Sequence, residues 1–154
     1  MKPVIDYAEF YITNVCNLNC DNCNRFNNFH FKGHFKWKDN EKAYKAWAKK
    51  VDINRINIIG GEPMLNPDLL NWVKGLNKLW PRSPINIITN GTRLLHWKKK
   101  GLINCISKLS LEINNHSPGT KTRDTINEFI KDEKYHMHPK DTIHTRYKDS
   151  IILL

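Results

Sequence analysis

The chain predicts an α/β fold, with parallel strands joined by helices that cover the sheet. Two observations carry this. Short runs rich in β-branched and aromatic residues alternate along the chain with longer stretches of helical periodicity. The first three predicted strands also run into loops built from cysteine, glycine or asparagine. A βαβα order of this kind places helices against a parallel sheet, and chemistry in such folds gathers beyond the carboxyl ends of the strands.

The elements follow in order. Tyr7–Thr13 is aromatic and β-branched and reads as the first strand. Asp39–Lys50 reads as a helix, with Asp39 as N-cap and Ala43, Ala46 and Trp47 on one face. Arg55–Ile59 is a short apolar strand that runs straight into Gly60-Gly61. Asn66 is placed to cap a second helix with Pro67 at its first position, and Leu69, Leu70, Val73 and Leu76 form its apolar face. Pro81 and Pro84 punctuate the return to a third strand, Ile85–Ile88. Leu94–Lys100 is a short helix closed by Gly101, with Lys98, Lys99 and Lys100 at its cationic end. Ile106–Ile113 is the fourth strand, and Thr122–Tyr135 a helix turning Ile126, Phe129 and Ile130 inward. Ser150–Leu154 begins a fifth strand. Ile151-Ile152-Leu153-Leu154 is an odd place for a natural terminus, and the fold is expected to be incomplete at the C-terminus.

Composition narrows the class. At 154 residues, 40% hydrophobic with five Trp, the chain is long enough for one folded domain with a real core, so residues 1–154 are expected to form a single domain. No apolar run approaches the roughly 20 residues that a membrane span needs. The N-terminus lacks the apolar core of a signal peptide, which predicts a cytoplasmic protein without membrane partners. The 25 Lys and Arg outnumber the 15 Asp and Glu, a net charge of +10 that favours an acidic partner: a nucleotide, a nucleic acid or an acidic peptide. Four cysteines would allow two disulfides, but three are clustered and Cys105 stands far away, so metal ligation in a reducing compartment is the better reading.

The candidate chemistry lies at the strand ends. Cys16, Cys20 and Cys23 form a C-x3-C-x2-C run, and thiolates so closely spaced suit soft metals and iron–sulfur clusters. Three protein ligands on a four-iron cube leave one iron open to bind a small molecule. Gly60-Gly61-Glu62-Pro63 follows the second strand, where glycine allows unusual backbone angles and close approach to a ligand. Thr89-Asn90-Gly91 follows the third strand and is a good turn sequence. Ser110 and Glu112 lie two apart on the fourth, hence on one face.

These four segments, in this order, resemble the radical S-adenosylmethionine (radical SAM) enzymes over roughly residues 6–115. The cysteine run resembles that family's cluster loop, Gly60-Gly61-Glu62-Pro63 its GGEP loop, Thr89-Asn90-Gly91 the T-N-G after the third strand, and Ser110-Leu111-Glu112 its S-L-D/E. The resemblance implies a partial (β/α)6 barrel, of which this chain supplies four or five units. It implies a [4Fe–4S] cluster on Cys16, Cys20 and Cys23 as metal ligands and catalytic centre, with S-adenosylmethionine (SAM) on the open iron. It further implies SAM contacts from Gly60, Gly61, Glu62, Pro63, Thr89 and Asn90, and ribose contacts from Ser110 and Glu112. In the family an electron passes from the cluster to the sulfonium, the C5′–S bond breaks, and the 5′-deoxyadenosyl radical takes hydrogen from substrate. With no second cysteine cluster to relay electrons, an external reductant of flavodoxin or ferredoxin type is implied. The substrate is not identified by these motifs.

One position departs from the family pattern: Asn22 stands where a ring before the third cysteine is common, and Phe26 or Phe29 are candidates to replace it. Two rival readings stand beside the enzyme. One is a non-catalytic nucleic-acid-binding protein with structural zinc, His30 or His34 being the fourth ligand. The other is a degenerate radical SAM fold that holds a cluster without turnover. The basic, aromatic insertion Asn24–Lys38 reads first as a loop whose rings pack on the barrel rim. Cys105 reads as a small buried residue, and His136, His138 and His144 as surface residues.

Overall fold

The computed structural model describes residues 1–21, 23–25, 31–114, 120–131 and 150–153. Asn22, Phe26, Phe29, His30, His136, His138 and His144 lie outside the described residues. The main sheet has five strands in the order β2 (Ala8–Tyr11), β4 (Ile56–Ile59), β5 (Ile85–Thr89), β6 (Leu109–Asn114) and β7 (Ser150–Leu153). The first four are mutually parallel, as the alternation of elements predicts. A second, two-stranded parallel sheet, β1 (Val4–Ile5) with β3 (Asp52–Ile53), was not expected; its strands are too short to carry a periodic signal. The helices are α1 (Trp37–Ala48), α2 (Leu69–Leu79), α3 (Leu94–Lys99) and α4 (Thr120–Ile130).

The fifth strand forms where expected but runs the other way. Ser150 pairs with Asn114 and Leu153 with Leu111, so the chain re-enters the sheet at the end where β6 leaves it and β7 is antiparallel. The parallel βα repeat thus covers β2, β4, β5 and β6, a parallel α/β sheet of the partial-barrel kind.

Alternation along the strands sorts side chains between the two faces. Phe10, Ile58, Ile87 and Leu111 stand in register across the four parallel strands and are buried in the core. Leu69, Trp72, Val73 and Leu76 of α2 and Leu94 and Trp97 of α3 belong to the same core. The buried tryptophans satisfy their indole N–H groups: Trp72 donates to the Phe35 carbonyl at 2.8 Å, Trp80 to Val51 at 3.1 Å and Trp97 to Met64 at 2.6 Å.

Two helix readings change. α1 begins at Trp37 and not after Asp39, because Asp68, from another part of the chain, accepts the Trp37 backbone N–H at 2.6 Å. Its inward face is Trp37, Tyr44 and Ala48, while Ala43, Ala46 and Trp47 are exposed. Tyr44 sits edge-on to Phe10 with ring centroids 5.2 Å apart, fixing that face. The residue directly before α2 is Asp68, and Asn66 caps the turn that leads into the helix: its Oδ1 accepts the Asp68 N–H at 2.9 Å and its carbonyl accepts the Leu69 N–H at 3.2 Å. Asn66 is fully buried, and its amide nitrogen donates to the carbonyls of Ile12 at 2.8 Å and Phe35 at 3.0 Å, tying the end of β2 to the chain entering α1.

Candidate functional site

At the carboxyl end of β2 the chain does not simply leave the sheet. Ile12 donates its N–H to Ile59 at 2.9 Å, Gly61 to Thr13 at 2.8 Å and Glu62 to Val15 at 2.8 Å. The parallel ladder therefore continues past the strand ends and binds the stem of the cysteine loop to the Gly60-Gly61-Glu62 loop. At Gly60 the structure shows a demand for space and not for φ. The φ of Gly60 is not positive; a Cβ there would lie 2.7 Å from the Thr13 carbonyl oxygen and 2.8 Å from its methyl group. The close neighbour is the base of the cysteine loop.

Glu62 is 1% exposed, and its carboxylate is fully engaged. Oε1 accepts the Met64 N–H at 2.9 Å and the Thr89 hydroxyl at 2.6 Å, and Oε2 accepts the Asn90 N–H at 2.7 Å. Burial pushes its pKa up, and these three donors oppose that shift. One side chain thus pins the end of β4 to the end of β5. Pro63, itself buried, opens the 3-10 turn Pro63–Leu65 that leads out of the loop.

The Thr89-Asn90-Gly91 turn is joined in the same way to the cysteine loop. Asn90 donates from its side-chain nitrogen to Asn17 Oδ1 at 2.9 Å, and Asn17 donates from Nδ2 to the Thr92 hydroxyl at 3.0 Å. Asn90 Oδ1 accepts the Thr92 N–H and hydroxyl at 3.1 and 2.7 Å. Gly91 has φ +79°, the left-handed conformation that the turn sequence anticipated. Thr89 and Asn90 thus spend their side-chain hydrogen bonds inside the protein, on Glu62, Asn17 and Thr92. Sequence reasoning did not single out Asn17 or Thr92; the available signal was an asparagine directly after the first cysteine.

The loop so held carries the three cysteines. None of the four cysteines is in a disulfide, and Cys16, Cys20 and Cys23 are each partly buried. The Leu18 N–H points at Cys16 Sγ at 3.4 Å, and Cys23 donates its N–H to the Cys20 carbonyl at 3.2 Å. Burial raises the pKa of Cys16 and of Cys20, and negative charge at neighbouring cysteines raises both further. Among the described residues, no three His, Cys, Asp or Glu side chains are gathered tightly enough to hold an ion. The fit of an iron–sulfur cluster therefore rests on donor chemistry: three thiols within eight residues, on a loop anchored at its stem and at Asn17. That set fits. Outside it, His34 is turned to Thr13, Nδ1 lying 2.8 Å from the hydroxyl, and Cys105 packs partly buried against the core.

Ser110 and Glu112 share a face of β6, as their spacing requires, and both are half-buried. Ser110 donates to Asn86 Oδ1 at 3.0 Å, and Asn86 donates to Glu112 Oε2 at 3.4 Å. They end a longer row that sequence reasoning missed. Glu9, Asn57, Asn86 and Ser110 are register partners across β2, β4, β5 and β6. The signal was present: Ala-Glu-Phe-Tyr, Ile-Asn-Ile-Ile, Ile-Asn-Ile-Ile-Thr and Leu-Ser-Leu-Glu-Ile-Asn each carry a polar residue second.

A parallel sheet whose first strand end carries three cysteines, stitched to a buried GGE loop and a TNG turn, is the architecture of one family. The radical SAM superfamily model matches residues 10–132, and the chain belongs to that superfamily. Its cofactors are those of the family, a [4Fe–4S] cluster and SAM. Among individual relatives, it is 27% identical to GTP 3′,8-cyclase of Nautilia profundicola over 133 residues, covering 82% of this chain and 42% of that protein. It is 32% identical over 134 residues to a probable GTP 3′,8-cyclase of Methanothermobacter thermautotrophicus, covering 87% and 41%. It is 30% identical over 122 residues to GTP 3′,8-cyclase of Petrotoga mobilis, covering 75% and 36%. The chain thus spans about two fifths of the length of the relatives it matches. This membership disfavours the zinc-stabilised nucleic-acid-binding alternative. Among the described residues no helix is long and apolar enough to cross a membrane.

Proposed function

We propose that the chain is the core domain of a radical SAM enzyme, in which Cys16, Cys20 and Cys23 hold the [4Fe–4S] cluster. The observation that carries this reading is the stitching of the cysteine loop to both other motif loops, through Gly61 to Thr13 and Asn17 to Asn90. A loop meant only to turn the chain has no need of such fixing. A cluster held by Cys16, Cys20 and Cys23 would supply the single electron for reductive cleavage of SAM. The residues of this chain hold and orient. The backbone of Gly60 and Gly61 borders the SAM amino group, and Glu62, Pro63, Thr89 and Asn90 fix the shape of that border. Ser110 and Glu112 take the ribose hydroxyls. The electron comes from an external one-electron reductant of flavodoxin or ferredoxin type.

The substrate is a nucleotide. The matched relatives named as GTP 3′,8-cyclases support GTP, and the net charge of +10 agrees with an anionic ligand. The cluster assignment is tested by anaerobic reconstitution with iron and sulfide. Wild type and Cys105→Ala should retain both elements in cluster ratio, and each single alanine variant of Cys16, Cys20 and Cys23 should lose them. Retention by all three single variants would remove the assignment. Transfer of deuterium from C3′-deuterated GTP into 5′-deoxyadenosine tests the substrate.

A further inference from the structure

The segment that enters α1 carries charge and rings that the fold does not require. From residue 22 to residue 38 the sequence contains no aspartate or glutamate, and Asp39 ends the run. In its described part Lys32, Lys36 and Lys38 are exposed, and none of the three is in an ion pair among the described residues. Lys36 and Lys38 stand at the N-cap and in the first turn of α1. That is the positive end of the helix dipole, where cations are disfavoured, so helix stability does not explain them. The rings beside them are not packed away on the rim: Phe31 is 57% exposed and Phe35 43%. Exposed rings rimmed by cations mark a contact face.

This strip is fastened to the stem of the cysteine loop. It runs antiparallel beside the end of β2, the outer strand of the main sheet, with His34 bridged to Thr13. Phe35 donates its N–H to the Ile12 carbonyl at 3.0 Å, and Asn14 donates its N–H to the Gly33 carbonyl at 3.0 Å. The Asn14 side-chain nitrogen donates to the Lys32 carbonyl at 3.1 Å. Asn14 lies two residues before Cys16. A short length of backbone and one hydrogen bond therefore join the exposed strip to the first cysteine.

We propose that residues 31–38 are the docking face for a small acidic one-electron carrier protein, which delivers its electron beside the cysteine loop. The proposal rests on the cluster reading above and names the surface on which its external reductant acts. Lysines outside any ion pair complement a negative surface and steer it from a distance. The two rings add a small apolar contact, in keeping with the small interfaces of transient electron-transfer complexes. A nucleic acid would also be drawn to cations and rings. The attachment to Thr13 and Asn14 favours the carrier, because it sets the strip against the loop that has to receive an electron. The transfer moves one electron from the carrier to the group held by Cys16, Cys20 and Cys23; no bond forms or breaks.

The experiment measures binding and reduction on the reconstituted protein, with a reduced flavodoxin of net negative charge as probe. Calorimetry reads binding independently of turnover, and the rate of cluster bleaching reads delivery. Both should weaken about tenfold or more as salt rises from roughly 50 to 500 mM. The Lys32→Glu, Lys36→Glu, Lys38→Glu triple variant should lose a similar factor, while photoreduction by deazaflavin still bleaches its cluster. A charge-matched control, Lys42→Glu, Lys50→Glu, Lys121→Glu, should stay within about threefold of wild type. Equal losses in the control would reduce the effect to net charge and overturn the proposal, as would binding that ignores salt. A single-stranded oligonucleotide that binds more tightly than flavodoxin, and only with Lys32, Lys36 and Lys38 intact, would assign the strip to nucleic acid and overturn it too. If deazaflavin reduces the cluster and flavodoxin does not bind, the docking face falls and the cluster reading stands. If wild type retains no iron and sulfide, the cluster reading falls with it. Should the glutamate triple fail to fold, the corresponding glutamine triple, which only removes charge, takes its place.

Discussion

Thr89 and Glu62 lie 27 residues apart and meet at 2.6 Å, the threonine hydroxyl donating to a carboxylate with 1% exposure. The glutamate of the GGE loop is thus the clasp between two strand ends, and its three donors come from both. Replacing it by Gln puts an NH2 against a buried N–H, either that of Asn90 or the donor pair of Met64 and Thr89. Glu62→Gln should cost about 2 kcal/mol, the penalty of a buried unsatisfied donor, read as a lower midpoint in urea denaturation. SAM affinity should fall with it, because the loop loses its fixed shape.

The same carboxylate gives a pH dependence with a definite sign. Burial raises its folded-state pKa above the ordinary value of 4.5. The folded state therefore binds the proton more tightly than the unfolded state, and stability falls as pH rises from about 4.5 through the folded value. The titratable neighbour that senses its charge is Cys16. Urea denaturation of the protein across this range should show that slope, and Glu62→Gln should flatten it. An unchanged slope in the variant would assign the dependence to another group.

Gly60→Ala should fail by collision. The new Cβ meets the Thr13 carbonyl at 2.7 Å, backbone that cannot rotate away. Overpacking of this kind costs about 1–3 kcal/mol. Because Thr13 leads into the cysteine loop, iron retention after reconstitution should drop more than the melting temperature suggests.

Asn17→Ala removes a donor to Thr92 and an acceptor for Asn90, which is 4% exposed. The global cost should be about 1–2 kcal/mol. If Asn17 positions the cluster loop, the variant should still assemble iron and sulfide but produce less 5′-deoxyadenosine per cluster, and Asn17→Asp, which keeps the acceptor, should recover part of the rate. Loss of stability with normal yield per cluster would make the contact purely structural.

The five strands of the main sheet and the order of the loops were legible in the sequence because short β-branched runs and glycine turns are local signals. So was the convergence of Cys16, Gly60 and Thr89 at one rim, which follows from parallel topology. What was not legible depends on long-range partners. The start of α1 moved to Trp37 because its cap is Asp68, and Asn66, which accepts the Asp68 N–H at the entry to α2, also donates to Ile12 and Phe35. The reversed direction of β7 follows from where the chain re-enters the sheet, which no local pattern specifies. Of the reasons expected for glycine at 60, unusual φ does not apply, and the space it keeps free is against Thr13, a neighbour that no local pattern identifies.

The most direct measurement is formation of 5′-deoxyadenosine by the anaerobically reconstituted, reduced protein supplied with SAM, beside the Cys16→Ala, Cys20→Ala, Cys23→Ala triple variant. The account predicts 5′-deoxyadenosine from wild type and none from the triple variant. A wild-type protein that assembles its cluster, binds SAM and forms no 5′-deoxyadenosine would contradict it.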